Sequence, residues 1–263
     1  MGTIGSFEMF DKYLDLLVKS TKYLLIVKSK GGLAKTSKTI GYLNKNKIEY
    51  SLVSGHVTPL HFFDIIKGAG EKIVVLDDVE ALIKNKDIMG LIKQACCETI
   101  NDKRLVQYNS SKREIEDTAF ICKAKFIMLC NKTPMNADFK AILSRSYFFN
   151  LRPSNSEIIT AIKKFDKKLD AELINFLINT CGEHTPLDFR VYQNLKEIKR
   201  LNKECWKELA TDNLNISERD KYIEHLVFSG IPIKDQIIQY EKDTGNKKRQ
   251  YYDDKKKVLK VVK

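Results

Sequence analysis

Several features that mark membrane, secreted or zinc-binding proteins are missing from this sequence. No stretch of about 18 apolar residues occurs, which excludes a membrane-spanning helix. The first twenty residues include Glu8, Asp11 and Asp15 and no uninterrupted apolar run, so they do not resemble a secretory signal. The six cysteines form no CxxC pair and no histidine lies at zinc-finger spacing, which argues against a structural metal site. These absences predict a cytoplasmic protein with reduced thiols.

The composition is that of a globular protein with an excess of positive charge. Hydrophobic residues make up 43% of the 263 residues and charged residues 30%, enough for one large domain or a core with small attachments. The 46 Lys and Arg against 34 Asp and Glu give a net charge of +12, which favours polyanionic partners. A lysine-rich composition can also reflect genomic base bias, so charge alone leaves nucleic-acid binding open.

Short apolar runs alternate with helical patterns in the first part of the chain. The runs predict buried strands over Tyr23 to Val27, Tyr50 to Val53, Ile73 to Leu76, Phe126 to Cys130 and Tyr147 to Leu151. Helical spacing predicts helices over Phe7 to Ser20, Thr36 to Leu43, Pro59 to Lys67 and Ile88 to Thr99. Such alternation implies a parallel sheet covered by helices on both faces. Two β-like pieces between Arg104 and Cys122 predict a hairpin that projects from this sheet.

The chain becomes all-helical after Pro153. Helical patterns cover Ile158 to Phe165, Leu169 to Asn179 and Leu187 to Leu201, with no strand between them. We therefore predict three parts: an αβα core over residues 1–153, a small helical domain over 154–212, and a basic helical segment over 213–263.

A candidate phosphate-binding loop, Ser29-Lys30-Gly31-Gly32-Leu33-Ala34-Lys35-Thr36, lies between the first predicted strand and its helix. A phosphate loop needs backbone N–H groups that curl round an anion at a helix N-terminus, here from Gly31, Gly32, Leu33, Ala34 and Ser37. It also needs a lysine for the phosphates and a hydroxyl for Mg²⁺, which Lys35 and Thr36 provide. Ser29 and Ala34 occupy both glycine positions of the usual pattern, so an ordinary strand–turn–helix is the alternative.

A pair of carboxylates ends another buried strand, in Lys72-Ile73-Val74-Val75-Leu76-Asp77-Asp78, which is the Walker B pattern. Asp77 would orient Mg²⁺, and Asp78 could polarise the attacking water. Because Asp78 is shorter than the glutamate usual in that place, its reach to the water is open. Two acids after a strand can also be a simple helix cap, which is the alternative interpretation.

The order of these and later motifs resembles that of the AAA+ superfamily of ATPases. After Walker B come Phe126-Ile127-Met128-Leu129-Cys130-Asn131, then Leu143-Ser144-Arg145, then Pro186-Leu187-Asp188-Phe189-Arg190-Val191. The resemblance implies a sensor role for Asn131, which helps to position the attacking water. It implies an arginine finger at Arg145 that acts on a neighbouring subunit, and a lid residue at Arg190 that reaches the γ-phosphate.

The resemblance covers roughly residues 20 to 200 and implies the fold, the ligands and the assembly. We expect a P-loop NTPase fold with a parallel five-stranded sheet sandwiched by helices, a small all-helical lid and a helical tail. ATP and Mg²⁺ are the expected ligands, and a ring or filament of identical subunits is the expected assembly. Ser54-Gly55-His56-Val57-Thr58-Pro59-Leu60 looks like a segment of compact phage and mobile-element ATPases. That group is related to DnaC-like and IstB-like helicase loaders.

The C-terminal segment has the outline of a helix-turn-helix unit. A helical pattern is followed by Thr244-Gly245-Asn246 and then by a basic helix. The candidate DNA contacts are Lys247, Lys248, Arg249, Tyr251, Lys255 and Lys256, with Lys112 and Arg113 at the hairpin tip. A solvated, lysine-rich terminus is the alternative.

These patterns predict a DNA-associated ATPase of a phage, virus or mobile element, located in the host cytoplasm in that case. Replication initiation or helicase loading is the expected process, with a helicase or other replication protein as partner and no membrane. Three alternatives stay open: a nucleotide-binding scaffold with weak turnover, a sequence-specific DNA-binding regulator with an ATPase-like core, and a processive helicase or packaging motor. Ser29, Ala34 and Asp78 favour the first of these.

Overall fold

The computed structural model describes residues 3–78, 80, 82–96, 103–109, 118–134, 136–182, 185–214 and 218–262. Within them, the side chains of residues 3, 4, 218–221, 224 and 257–262 are left aside. Two compact units make up the chain, Met1–Pro153 and Ser154–Lys263. The further division of the second unit at residue 212 stays a prediction.

The first unit is built on a parallel sheet. Strands in the described part of the chain are β1 (Thr3–Gly5), β2 (Leu24–Lys28), β3 (Tyr50–Ser54), β4 (Ile73–Asp77), β5 (Leu105–Gln107), β6 (Ala119–Ile121), β7 (Lys125–Cys130) and β8 (Tyr147–Leu151). The six-stranded sheet has the order β1-β8-β2-β7-β4-β3, and every neighbouring pair is parallel. The predicted five-stranded parallel sheet is confirmed. The short β1 adds an unpredicted sixth strand beside β8.

Helices lie between the strands, and the first four of them correspond to the predicted helices. They are α1 (Phe7–Lys19), α2 (Lys35–Lys45), α3 (Pro59–Gly68), α4 (Lys86–Cys96) and α5 (Ala137–Leu143). Ser6 begins α1 by accepting a hydrogen bond from the Met9 N–H at 3.3 Å, and the helix buries Phe10, Leu14 and Leu17 completely. The central strands are continuously apolar because helices cover both of their faces.

The predicted hairpin is present as the antiparallel pair β5–β6, with Leu105 opposite Ile121. At its base, the buried Arg104 donates hydrogen bonds to the carbonyls of Ala95 and Ala124, each at 2.7 Å. Its guanidinium also stacks on the Tyr23 ring, 3.6 Å from the centroid. This arginine therefore fixes the hairpin to the sheet. The hairpin tip, with Lys112 and Arg113, lies outside the described residues.

The second unit is helical over its described residues, as predicted. Its helices are α6 (Asn155–Phe165), α7 (Ala171–Thr180), α8 (Phe189–Leu201), α9 (Trp206–Asn213), α10 (Glu218–Phe228), α11 (Ile233–Thr244) and α12 (Lys248–Val262). A capping box of Ser154 and Glu157 begins α6, and the Asp188 carboxylate caps α8 through the Val191 N–H at 2.8 Å. Across the described parts of both units, no helix combines the length and apolarity needed to cross a bilayer.

The last three helices share a small core of their own. Tyr240 of α11 and Tyr251 of α12 are fully buried, with ring centroids 5.5 Å apart. The Tyr240 hydroxyl donates to Asp254 at 2.8 Å, and the Tyr251 hydroxyl donates to Gln236. Gly245 separates α11 from α12 in the left-handed conformation, with φ of 69°. The helix–turn–helix order predicted for this segment is present.

Candidate nucleotide-binding site

Polar side chains converge at the carboxyl ends of three neighbouring strands in the first unit. The sheet order places β7 between β2 and β4, so the loops that follow these strands meet at one edge. Lys35 and Thr36 follow β2, Asp77 ends β4, and Asn131 follows β7. The carboxyl edge of a parallel sheet is where ligands bind in open α/β folds.

The candidate phosphate loop is anchored to the sheet and left-handed at two positions. The Ser29 N–H donates to the Cys130 carbonyl at 3.1 Å, which holds the start of the loop against β7. Gly32 and Ala34 have φ of 76° and 53°. Ala34 precedes α2 and provides no side-chain cap for it. An anion that binds there would meet backbone N–H groups at a helix N-terminus.

The left-handed conformation of Ala34 gives the first testable prediction. A Cβ in this conformation is strained, and glycine relieves the strain at no steric cost. We expect Ala34→Gly to raise the free energy of unfolding in urea by about 0.5–1 kcal/mol. This is the net effect, because glycine relieves the strain but also raises the entropy of the unfolded chain. The control is Ala141→Gly, inside the right-handed helix α5, which should lower it by about 1 kcal/mol. If Ala34→Gly lowers the free energy of unfolding as much as Ala141→Gly does, Ala34 is not in a strained left-handed conformation.

Lys35 is buried and fully engaged with neutral oxygen atoms. Its side chain is 8% exposed, and Nζ donates to Asn131 Oδ1 at 2.8 Å, to Ser29 Oγ at 3.0 Å and to the Lys30 carbonyl at 3.2 Å. Burial lowers the pKa of Lys35, because it penalises the ammonium, although the acidic groups around it oppose the shift. The lysine expected to contact phosphates and the expected sensor residue therefore touch each other.

Thr36 and Asp77 form the second pair of the site. The Thr36 hydroxyl donates to the Asp77 carboxylate at 2.7 Å. A hydroxyl beside a carboxylate is a donor set that Mg²⁺ accepts, since this ion prefers oxygen ligands and keeps several waters. The residues present therefore fit the expected cation, and Thr36 and Asp77 are the ones that would hold it.

Asp78 and Glu80 follow β4 in different environments. Asp78 has a φ of 51° and an exposed side chain. Glu80 is half-buried, and its Oε1 accepts the Asn131 N–H at 2.7 Å and the Lys132 N–H at 3.3 Å. Burial raises the pKa of Glu80, but these N–H donors outweigh it, so the pKa lies below its usual value. Glu80, two places after Asp78, was not among the site residues predicted from the sequence.

The two arginines that the resemblance singled out lie in different units. Arg145 is exposed just after α5, and its guanidinium donates to the Ala141 carbonyl at 3.0 Å. Arg190 is exposed in the first turn of α8. Their roles in the nucleotide site stay predictions.

The candidate DNA contacts at Lys247 and in α12 comprise exposed, half-buried and buried residues. Lys247, Lys248, Arg249 and Lys256 are exposed, whereas Lys255 is half-buried and donates to the Tyr251 hydroxyl at 3.3 Å. The structure contradicts the expectation that Tyr251 contacts DNA, because this ring is fully buried in the helical core. Tyr252 is the exposed tyrosine of α12, with 46% of its surface accessible.

Comparisons with known proteins show the fold. Thermotoga maritima RuvB, described as a Holliday junction branch migration motor, is similar over 94% of this chain and 86% of its own, with 12% identity and a TM-score of 0.51. A point mutant of the same RuvB matches at 13% identity over 93% of this chain and 85% of its own, also with a TM-score of 0.51. The chain has an α/β fold of the P-loop NTPase type, with a parallel sheet flanked by helices. No protein-family model and no curated protein matches the sequence.

A third similar structure is a chain of the E. coli MS115-1 HORMA:CdnC:Trip13 complex. It shares 15% identity, and the match covers 80% of this chain and 86% of that one with a TM-score of 0.46. At these identities the likeness concerns the backbone arrangement. The interpretation of the site rests on the side chains of this chain.

Proposed function

We propose that this protein is a DNA-associated ATPase. The observation that carries the proposal is the hydrogen-bonded cluster of Lys35, Thr36, Asp77 and Asn131 at the carboxyl edge of the sheet. A cation for phosphates, an oxygen pair for Mg²⁺ and an amide at the neighbouring strand end are the parts that phosphoryl transfer requires. The fold shown by the structural comparisons supports the same activity.

Each part has a proposed role in ATP hydrolysis. The loop from Gly31 to Ser37 would bind the phosphates through its backbone N–H groups, and Lys35 would neutralise them. Bound Mg²⁺ would supply charge neutralisation of the phosphate oxygens. Asn131 would orient the attacking water, and Asp78 would polarise it. Arg145 from a neighbouring subunit and Arg190 from the helical lid would complete the site, which makes a ring or filament the proposed assembly.

The C-terminal helix supports DNA as the partner. Lys247, Lys248 and Arg249 stand exposed at the start of α12, directly after the turn. The first residues of the second helix in a helix-turn-helix unit are the ones that contact DNA. RuvB, a Holliday junction branch migration motor, has a similar fold. Replication initiation or helicase loading in a phage, virus or mobile element is the process we propose, with a helicase or other replication protein as a further partner.

Hydrolysis in the presence of DNA tests this function. We expect wild-type protein to hydrolyse ATP, and single- or double-stranded DNA to stimulate it. The double variant Lys248→Ala/Arg249→Ala should lose the stimulation and bind DNA about tenfold or more weakly, because two phosphate contacts disappear. Its basal hydrolysis should be unchanged. The matched control, Lys163→Ala/Lys164→Ala, removes two exposed lysines from α6 and should behave as wild type. If both double variants lose DNA affinity equally, the loss follows from the lower net charge and not from contacts made by α12.

One observation favours a second candidate, a nucleotide-binding scaffold with little turnover. Lys35 donates to Asn131, Ser29 and the Lys30 carbonyl, so a phosphate that binds this ammonium must replace hydrogen bonds that the protein itself provides. A protein of this kind would bind ATP and assemble on DNA, yet its hydrolysis would not exceed that of a Lys35→Ala variant.

A further inference from the structure

We propose that Glu80 is a positioning residue of the hydrolysis site, which fixes the end of β7 so that the Asn131 amide faces Lys35. This inference rests on the proposed function, since it assigns the role to the same site. It adds a residue that lies outside the expected motif, two positions after Asp78. The contacts of Glu80, Asn131 and Lys35 form one continuous chain from β4 through β7 to the phosphate loop.

The first contact in this series is between the Glu80 carboxylate and the backbone after β7. Its Oε1 accepts the N–H groups of Asn131 and Lys132, the first two residues after β7, at 2.7 and 3.3 Å. The strand ladder no longer holds these residues, so their position depends on a partner of this kind. One side-chain oxygen that accepts both N–H groups therefore holds the two residues in a fixed position.

The second step is the side chain of Asn131. Its backbone N–H is held by Glu80, while its Oδ1 accepts the Lys35 ammonium at 2.8 Å. Two anchors on one residue, one on the backbone and one on the amide, determine where the amide points. Without Glu80 the backbone anchor is lost, and the amide can rotate or shift with the loop. A shift of about 1 Å in a catalytic group can cost about a hundredfold in rate.

The exposed Asp78 is not placed to do this. Its left-handed backbone and exposed side chain separate it from the half-buried position that Glu80 takes against β7. Only Oε1 of Glu80 contacts the two N–H groups, and a neutral amide oxygen has the same geometry. A positioning role therefore requires the oxygen and not the negative charge.

The comparison of Glu80→Gln with Glu80→Ala tests this distinction. We expect Glu80→Ala to lower kcat for ATP hydrolysis at least about tenfold with little change in KM, because a misplaced amide affects the reacting state and not binding. Glu80→Gln should restore kcat to within about threefold of wild type. The control is Glu49→Ala, an exposed glutamate paired with Lys72, which should have no effect. If Glu80→Gln is as slow as Glu80→Ala, the charge itself acts and the positioning role is wrong.

A second measurement separates this inference from the proposed ATPase activity. In nitrogen-15 NMR spectra of the nucleotide-free protein, the Asn131 N–H signal should lie at similar positions in wild type and Glu80→Gln. It should move upfield in Glu80→Ala, because the hydrogen bond is lost. If wild type does not hydrolyse ATP, the proposed function fails and this result still decides the role of Glu80. An unmoved Asn131 signal in a folded Glu80→Ala protein would overturn the proposal.

Discussion

Replacing Lys35 by alanine is expected to reduce ATP hydrolysis by about a hundredfold or more, the cost of removing one preorganised donor from a charge-stabilising site. Nucleotide binding should weaken as well, since the only buried lysine among the described residues points from the phosphate loop to the neighbouring strand end. The variant also leaves Asn131 Oδ1 and Ser29 Oγ without this donor.

A steady-state hydrolysis assay and a titration with a fluorescent ATP analogue measure both effects of Lys35→Ala. The matched control is Lys45→Ala, which removes an exposed lysine from the last turn of the same helix and should change neither. Thermal melting of both variants shows whether the fold survives the loss of a buried side chain. If a folded Lys35→Ala protein hydrolyses ATP at the wild-type rate, neither Lys35 nor the candidate phosphate loop acts in hydrolysis.

Replacing Arg145 by alanine is expected to abolish hydrolysis while nucleotide binding persists. A charge supplied to the transferring phosphoryl group by a neighbouring subunit is worth about 10³–10⁵ in rate. The side chain is exposed just after α5 and, within the described part of the chain, donates to the Ala141 carbonyl of α5, which leaves most of its donors available. Lys140→Ala, an exposed cation in the same helix, is the control and should keep activity.

Mixing two inactive variants tests whether Arg145 acts between subunits. In a mixture of Lys35→Ala and Arg145→Ala proteins, some interfaces combine an intact phosphate loop with an intact arginine from the neighbour. We expect part of the wild-type hydrolysis to return on mixing, in proportion to such interfaces. If no activity returns although mixed assemblies form, Arg145 acts within its own subunit or has no catalytic role.

The sheet could be predicted from the sequence because its strands are buried on both faces. Leu24 to Val27 are all fully buried. Such a short, uninterrupted apolar run is typical of a strand in a parallel sheet that is covered on both faces. The edge strand β1 could not be predicted in the same way. Thr3–Gly5 is too short to show a period, and it is a strand only because β8 offers it a partner.

The candidate site could be predicted where a motif has a fixed place after a strand. Lys35, Thr36, Asp77 and Asn131 were selected in that way, and the structure brings them within hydrogen-bonding distance in pairs. Glu80 was missed because its partner is a backbone N–H of another strand, for which a sequence shows no signal.

Tyr251 was wrongly predicted to be an exposed DNA contact because basic residues surround it in the sequence. In a helix, Tyr251 and Asp254 lie three residues apart and share a face, and both are buried against α11. Lys248, Arg249 and Lys256 are exposed, whereas Lys255 is half-buried and donates to the Tyr251 hydroxyl. A count of lysines therefore identified the basic helix, and only helical spacing could have separated its inner face from its outer face.

The three neutral oxygens around the Lys35 ammonium make ligand binding an exchange. A phosphate that reaches Lys35 must replace the bonds from the amide, the hydroxyl and the carbonyl, so it gains only the difference between new and old partners. Neutral ligand groups gain nothing in this competition, whereas an anionic oxygen forms a bond about twice as strong. The enclosed ammonium of Lys35 therefore favours anionic ligands over neutral ones. We expect triphosphates to occupy the loop and uncharged nucleosides to be left in solution.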